Sequence, residues 1–164
     1  MKIPILGMEI TLNDDPELSG IGLTIFFAGC PHKCEGCHNP RSWDSRNGDL
    51  IDKEEIEEKI RKSSTLIKSV CFCGGEPLLY KEALVDLTKF CRSYGLKVIL
   101  YTGYLFEEID KDIIHNVDTI IDGKYVEELE SGTFPASDNQ RVFIDGQQIN
   151  PKELQINIKS GGTI

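Results

Sequence analysis

Three cysteines spaced C-x3-C-x2-C, namely Cys30, Cys34 and Cys37, follow directly on the apolar run Leu23-Thr24-Ile25-Phe26-Phe27-Ala28. A run of that length reads as a buried strand, so the three thiols fall together on one tight loop at its end. A loop so small can wrap a cubane iron–sulfur cluster, with each thiolate on a different iron and the backbone curled over the cluster face. Three thiolates leave one iron without a protein ligand, and an incomplete site can bind and activate something. The competing reading is a zinc knuckle, or a structural cluster completed by His32, His38 or another cysteine. A zinc site usually offers a second ligand pair further along, and no such pair is visible in the sequence.

Six cysteines in 164 residues also admit disulfides, but the tight grouping of half of them favours metal binding in a reducing compartment. Cys71 and Cys73 share one side of an expected strand, and Cys91 lies on the apolar stripe of an expected helix. All three read as small buried side chains. The length suits one domain with a real core. Eighteen basic against 27 acidic residues give a net charge of −9, and without a Lys/Arg cluster this argues against a nucleic-acid partner. Met1–Thr11 carries one lysine, an early Pro4 and no long apolar stretch, so neither a signal peptide nor a membrane span is expected. The expected location is cytoplasmic.

Along the chain, residues 3–12 and 22–28 read as strands separated by a turn at Asn13-Asp14-Asp15-Pro16. A helix is expected to start at Asp52, with Glu55 completing a capping box and Ile51 packing on Ile56 as a hydrophobic staple. A short strand at Ser69–Cys73 then runs into Gly74-Gly75-Glu76-Pro77. Two glycines let backbone approach a ligand closely, and Pro77 suits the first turn of the next helix. That helix, about 80–94, places Ala83, Leu84, Leu87, Phe90 and Cys91 on one face and stops at Gly95. A strand at Lys97–Tyr101, a helix carrying Leu105, Ile109 and Ile113, and a strand at Val117–Ile121 follow. Val142 to Ile158 reads as two strands across an Asp145-Gly146 turn. Strands alternating with helices predict an α/β fold with a mostly parallel sheet and ligand loops at the carboxyl ends of its strands.

The cysteine loop, the Cys37-His38-Asn39-Pro40 sequence followed by Trp43-Asp44, and Gly74-Gly75-Glu76-Pro77 resemble the signatures of the radical S-adenosylmethionine enzymes. Tyr101-Thr102-Gly103-Tyr104, Ile121-Asp122-Gly123-Lys124 and Ser137-Asp138-Asn139-Gln140-Arg141 narrow the resemblance to the activating proteins of anaerobic, class III ribonucleotide reductase. Two positions depart from the family pattern. Leu18-Ser19-Gly20-Ile21-Gly22 stands where Asp-Gly-x-Gly is common, and Pro135-Ala136 where an Arg-Gly or similar pair is common.

The resemblance implies a single radical S-adenosylmethionine domain over residues 1–164, folded as an incomplete, open (β/α) barrel. It implies a 4Fe-4S cluster on Cys30, Cys34 and Cys37, with S-adenosylmethionine on the remaining iron and against Gly36, Cys37, His38, Gly74, Gly75, Glu76 and Pro77. Reductive cleavage would give methionine and a 5′-deoxyadenosyl radical that takes hydrogen from a glycine of the reductase large subunit, and no further catalytic side chain is required. A flavodoxin or ferredoxin would supply the electron. Trp43, the only tryptophan, would shield the cluster or anchor its loop. Arg141 would clamp the methionyl carboxylate or pair with Asp122, the structural role being preferred. A pyruvate formate-lyase-type activase, another small enzyme of the superfamily, and a ferredoxin-like electron-transfer module are the alternatives.

Overall fold

The computed structural model describes residues 1–154. Among them the strands are β1 (Lys2–Thr11), β2 (Gly22–Phe27), β3 (Asp49–Asp52), β4 (Ser69–Gly74), β5 (Lys97–Tyr101), β6 (Thr119–Asp122), β7 (Arg141–Ile144) and β8 (Gln147–Ile149). The helices are α1 (Lys53–Ser63), α2 (Lys81–Ser93) and α3 (Lys111–Ile114). All strands join one sheet in the order β3-β1-β2-β4-β5-β6-β7-β8, and it does not close on itself. The four central strands, β2, β4, β5 and β6, run parallel. Both flanks are antiparallel. The sheet is thus mixed: its parallel centre follows from strand-helix alternation, and its flanks from chain segments with no helix between them.

Side-chain alternation sorts the two faces. On β4, Val70 and Phe72 enter a core with Ile56 and Ile60 of α1 and Leu84, Leu87 and Cys91 of α2. Each fully buried isoleucine or leucine there contributes on the order of 2 kcal/mol. Cys71 and Cys73 point the other way, into a smaller cluster with Ile99, Ile121 and Val142 that receives no helix. The helices therefore cover one face, and the opposite face is left for the site.

Three local expectations change. Asp52 does begin α1, but its side chain makes no capping hydrogen bond. Asp52 also ends β3 opposite Lys2 of β1, and its carboxylate lies 3.5 Å from the Lys2 ammonium. The helix through Leu105, Ile109 and Ile113 is reduced to a 3-10 turn at Phe106–Glu108 and the four-residue α3. The break falls at Ile109 and Asp110, both extended with ψ of 134° and 139°, while the leading amides, which no helix would pair, are taken by carboxylates: Leu105 donates to Glu108, and Phe106 to Asp122 at 2.7 Å. Ile109 and Ile113 are buried as expected, whereas Leu105 is exposed. The turn after β7 falls at Asp145-Gly146, both with positive φ. The second strand expected to run to Ile158 ends at Ile149, and positions 151–154 turn helical; positions 155–158 lie outside the described residues.

Candidate active site

Because β2, β4, β5 and β6 are parallel, their carboxyl ends meet at one edge of the sheet, where open α/β sheets bind ligands. A cavity of about 360 Å³ opens there. Its floor is the helix-free face, with Phe26 paired to Cys73 and Tyr101 paired to Ile121. Cys30, Cys34 and Cys37 line one wall, and Gly74, Gly75 and Glu76 another.

The cysteine loop is shaped by its own amides. Cys37 donates its N–H to the Cys34 carbonyl at 3.1 Å, and Asn39 donates to the Cys37 sulfur at 3.5 Å. Lys33 has a positive φ of 47°. Burial pushes the Cys30 thiol up, while the amide N–H groups of His32 and Lys33 pull it the other way. Two of the three sulfurs thus already face backbone donors, although burial wins at Cys30 and leaves its thiol above the usual range. No three His, Cys, Asp or Glu side chains among the described residues converge on a point that holds a single metal ion. A lone zinc needs such convergence, whereas a cubane takes each thiolate on a separate iron. The donor set fits the cluster better than the ion.

The glycine loop is locked against the cysteine loop. Gly75 donates to the Phe27 carbonyl and Glu76 to the Gly29 carbonyl, both at 2.8 Å. The backbones are so close that a Cβ on Gly75 would collide with the Gly29 carbonyl oxygen. Glu76 is fully buried and its carboxylate accepts four hydrogen bonds. Leu78 N–H (3.0 Å) and the Thr102 hydroxyl (2.7 Å) reach one oxygen, and His32 Nε2 and Gly103 N–H (both 2.8 Å) reach the other. With about four acceptor positions on a carboxylate, none is left for an amino-acid ammonium. Glu76 ties three loops together.

The Ser137-Asp138-Asn139-Gln140-Arg141 stretch has a comparable task. The Asn139 amide donates to the Lys124 carbonyl (2.8 Å) and the Gln140 amide to the Gly123 carbonyl (3.0 Å). Arg141 donates to both oxygens of the buried Asp122 and to Glu107. These groups hold the loop after β6, which places Lys124 and Tyr125 at the cavity. Arg141 takes the pairing role expected of it, and its guanidinium is held above its usual range by Glu107 and Asp122.

Of the residues singled out from sequence, the cavity gathers Cys30, Cys34, Cys37, Gly74, Gly75 and Glu76. Gly36, His38 and Pro77 are not in its lining. Gly36 abuts Glu127, His38 is largely exposed beside Tyr125, and Pro77 is buried at the start of a 3-10 turn. Sequence reading missed His32 as the partner of Glu76, because 44 residues separate them. It also missed Cys73, half-buried in the cavity wall. Cys71 and Cys91 are buried thiols as expected. Burial raises both, Cys91 to about 12.

Comparison with known proteins agrees with this geometry. A family model described as a 4Fe-4S single cluster domain matches residues 18–143, a span that includes every cavity residue named above. The anaerobic ribonucleoside-triphosphate reductase-activating protein of Enterobacteria phage T4 is 37% identical over 131 residues, covering 76% of this chain and 84% of that protein. The chain belongs to the family of anaerobic ribonucleoside-triphosphate reductase-activating proteins. A further reductase-activating protein, from Escherichia coli K12, is 27% identical over 136 residues, covering 75% of this chain and 88% of its own. The pyruvate formate-lyase-activating enzyme of Clostridium pasteurianum is 32% identical over 114 residues, and the match spans 66% of this chain but only 48% of that enzyme. The resemblance drawn from the cysteine and glycine loops therefore holds, and with it the 4Fe-4S cluster and S-adenosylmethionine as the family's cofactors.

Proposed function

We propose that this chain is a glycyl-radical activating enzyme for the large subunit of anaerobic ribonucleoside-triphosphate reductase. Cys30, Cys34 and Cys37 hold the cluster, and S-adenosylmethionine completes it. When bound, this pair supplies reductive cleavage of the sulfonium and a 5′-deoxyadenosyl radical able to take hydrogen from a glycine of the reductase. The observation that carries the reading is the shared cavity: three thiols on one small loop, at the strand end where Gly74 and Gly75 leave bare backbone.

The remaining work belongs to this chain's own groups. Since the Glu76 carboxylate is saturated, the ammonium of the cofactor is met by backbone carbonyls around Gly74 and Gly75. Glu76 positions them. Pro77 starts the turn that fixes the loop's exit, and Cys37, in the lining, with Gly36 and His38 beside it on the loop, would hold the adenine end where it leaves the cavity. Phe26, Ile121 and the aliphatic side of the cavity floor limit water at the reacting bond. Arg141, by holding Asp122 and the loop after β6, keeps the opposite wall in place.

Helices on a single face and unclosed sheet edges at β3 and β8 support an incomplete (β/α) barrel of the radical S-adenosylmethionine type, with residues 1–164 as one such domain. The open side admits a loop of the large partner. Flavodoxin or ferredoxin is the electron donor, and the cytoplasm the location. Within the described residues no helix is long and apolar enough to cross a membrane.

The test is anaerobic reconstitution with iron and sulfide, then dithionite and S-adenosylmethionine. 5′-Deoxyadenosine should accumulate, and adding the reductase should produce a glycyl-radical resonance. A radical formed on pyruvate formate-lyase and not on the reductase would reassign the partner. Absence of 5′-deoxyadenosine would leave only an electron-transfer module.

A further inference from the structure

A second depression shares a wall with the cysteine cavity. It is a groove of about 650 Å³, and Cys30 and Trp43 line both spaces, joined by the bond from Cys30 N–H to the Trp43 carbonyl at 3.1 Å. Of the three loop cysteines only Cys30 borders the groove. Leu79 and Tyr80 also line it, and their turn closes tightly on the end of β2. The Tyr80 hydroxyl donates to the Ala28 carbonyl at 2.5 Å, and a Cβ on Gly29 would lie 2.7 Å from that hydroxyl. Glycine at position 29, with a φ of 100°, thus lets the turn approach the residue next to Cys30.

The cavity must take S-adenosylmethionine and a glycine of the large partner, which leaves no room there for a third protein. The reducing electron has to enter from another side, and one that arrives in the groove meets a residue bonded to the cluster. The lining suits a transient protein contact. Pro31, Pro40 and Leu79 offer exposed apolar surface, and Lys33, Asp44 and Arg46 supply charge around it. An apolar patch bordered by charges is the anatomy of a protein interface, and redox encounters use small ones. The charge has a sign. Residues 30–47 carry exposed Lys33, Arg41 and Arg46 against Glu35 and Asp44, a local positive excess in a chain of net −9. A partner steered to that spot presents a negative contact face.

We propose that this groove docks the electron donor, a small electron-transfer protein with an acidic contact face, and passes its electron to the cluster through Cys30. The donor loses one electron, the cluster gains it, and no other group changes oxidation state. This inference rests on the cluster being held by Cys30, Cys34 and Cys37.

The experiment uses the full chain reconstituted anaerobically, with two-electron-reduced flavodoxin as the probe, in stopped flow at low ionic strength. The variants are Arg46→Glu, Leu79→Glu and, as a control for net charge, Lys89→Glu on the exposed side of α2. Iron and sulfide are assayed first, and reduction by dithionite is followed in parallel. Arg46→Glu and Leu79→Glu should each slow cluster reduction by flavodoxin about tenfold. Both should also weaken binding of oxidised flavodoxin in isothermal titration. Cluster content, dithionite reduction and the glycyl-radical yield under dithionite should stay unchanged. Added salt should slow the unmodified chain and erase its lead over Arg46→Glu. An equal fall in Lys89→Glu would show net charge alone at work, and unchanged rates in both groove variants would place the contact elsewhere; either result overturns the assignment. Loss of the glycyl radical under dithionite in Leu79→Glu would give the groove to the reductase and equally overturn it, as would an intact cluster that dithionite reduces and flavodoxin does not. Failure of the unmodified chain to bind iron would instead remove the cluster reading, and this inference with it.

Discussion

His32 Nε2 lies 2.8 Å from Glu76 Oε2, joining the cysteine loop to the glycine loop across 44 positions of chain. Both side chains are nearly sealed from solvent, with 6% and 1% of their surface exposed. The His32 ring also packs edge-on against Tyr104 at 4.6 Å between centroids. A Cβ on Gly103 would lie 2.5 Å from that ring, so the third loop needs glycine there to admit it. The loop that carries the three cysteines is thus held by a side chain within it, bound to the residue after the two glycines.

Glu76→Gln should therefore destabilise the fold. An amide in place of the carboxylate turns an NH2 toward two of the four donors that now point at Glu76. The expected loss is about 2 kcal/mol, since buried donors would lose their acceptor. Urea unfolding of the cluster-free chain measures it. A change within about 0.5 kcal/mol, typical of surface substitutions, would show that the four hydrogen bonds carry no stability.

Arg141 and Asp122 should respond unequally. Arg141→Ala leaves the fully buried Asp122 carboxylate with only amide donors, Phe106 and Arg141 N–H. Breaking a buried pair from that side costs about 3 kcal/mol or more. Asp122→Asn leaves Arg141 on Glu107, at 2.8 and 3.0 Å in partly exposed surroundings, and should cost less. Equal losses in thermal or urea unfolding would contradict the asymmetry.

The strand-helix alternation was legible because hydrophobic periodicity is local: β2, β4, β5, β6 and α2 lie within a residue or two of where the sequence places them. The short β3 was not, since Asp49-Leu50-Ile51-Asp52 offers no alternation long enough to separate from a helix entry. The cysteine and glycine loops were legible as motifs. The work of Glu76 was not. A glutamate beside two glycines looks equally suited to an incoming ammonium, and only the arrival of His32, Thr102 and Gly103 from other loops fills its acceptor positions. The partners of Ser137–Arg141 were hidden for the same reason, because Gly123 and Lys124 expose backbone carbonyls, which leave no trace in a sequence.

Stability should depend on acid through Asp15. Burial would raise its carboxyl, but hydrogen bonds from Lys97, Ser19 and Glu17 outweigh that and hold it below the usual range. A depressed folded value contributes stability that is present above the unfolded value of about 3.9 and is lost as pH falls through the folded one. Lys97 has the opposite sign. Burial lowers it, Asp15 and Glu17 raise it further, and its share is lost as pH climbs above about 10. Asp15→Asn should flatten the acid limb of stability against pH. An unchanged acid limb would show that the Asp15–Lys97 pair does not contribute.

Cys34→Ala should abolish cluster assembly, whereas Cys73→Ala should retain full iron and sulfide. Cys73 stands in the cavity wall and is the thiol best placed to test the vacancy. Loss of iron in Cys73→Ala would make it the fourth ligand and remove the open coordination position. Cys91→Ala should keep the cluster and cost about 1 kcal/mol, from a small cavity in the helix-facing core.

The most direct measurement is the electron paramagnetic resonance spectrum of the dithionite-reduced protein before and after S-adenosylmethionine. A cluster held by Cys30, Cys34 and Cys37 alone, with its last iron open to the cofactor, should give a spectrum that changes on addition. A spectrum indifferent to S-adenosylmethionine, or a chain that purifies with zinc and assembles no iron, would contradict the account.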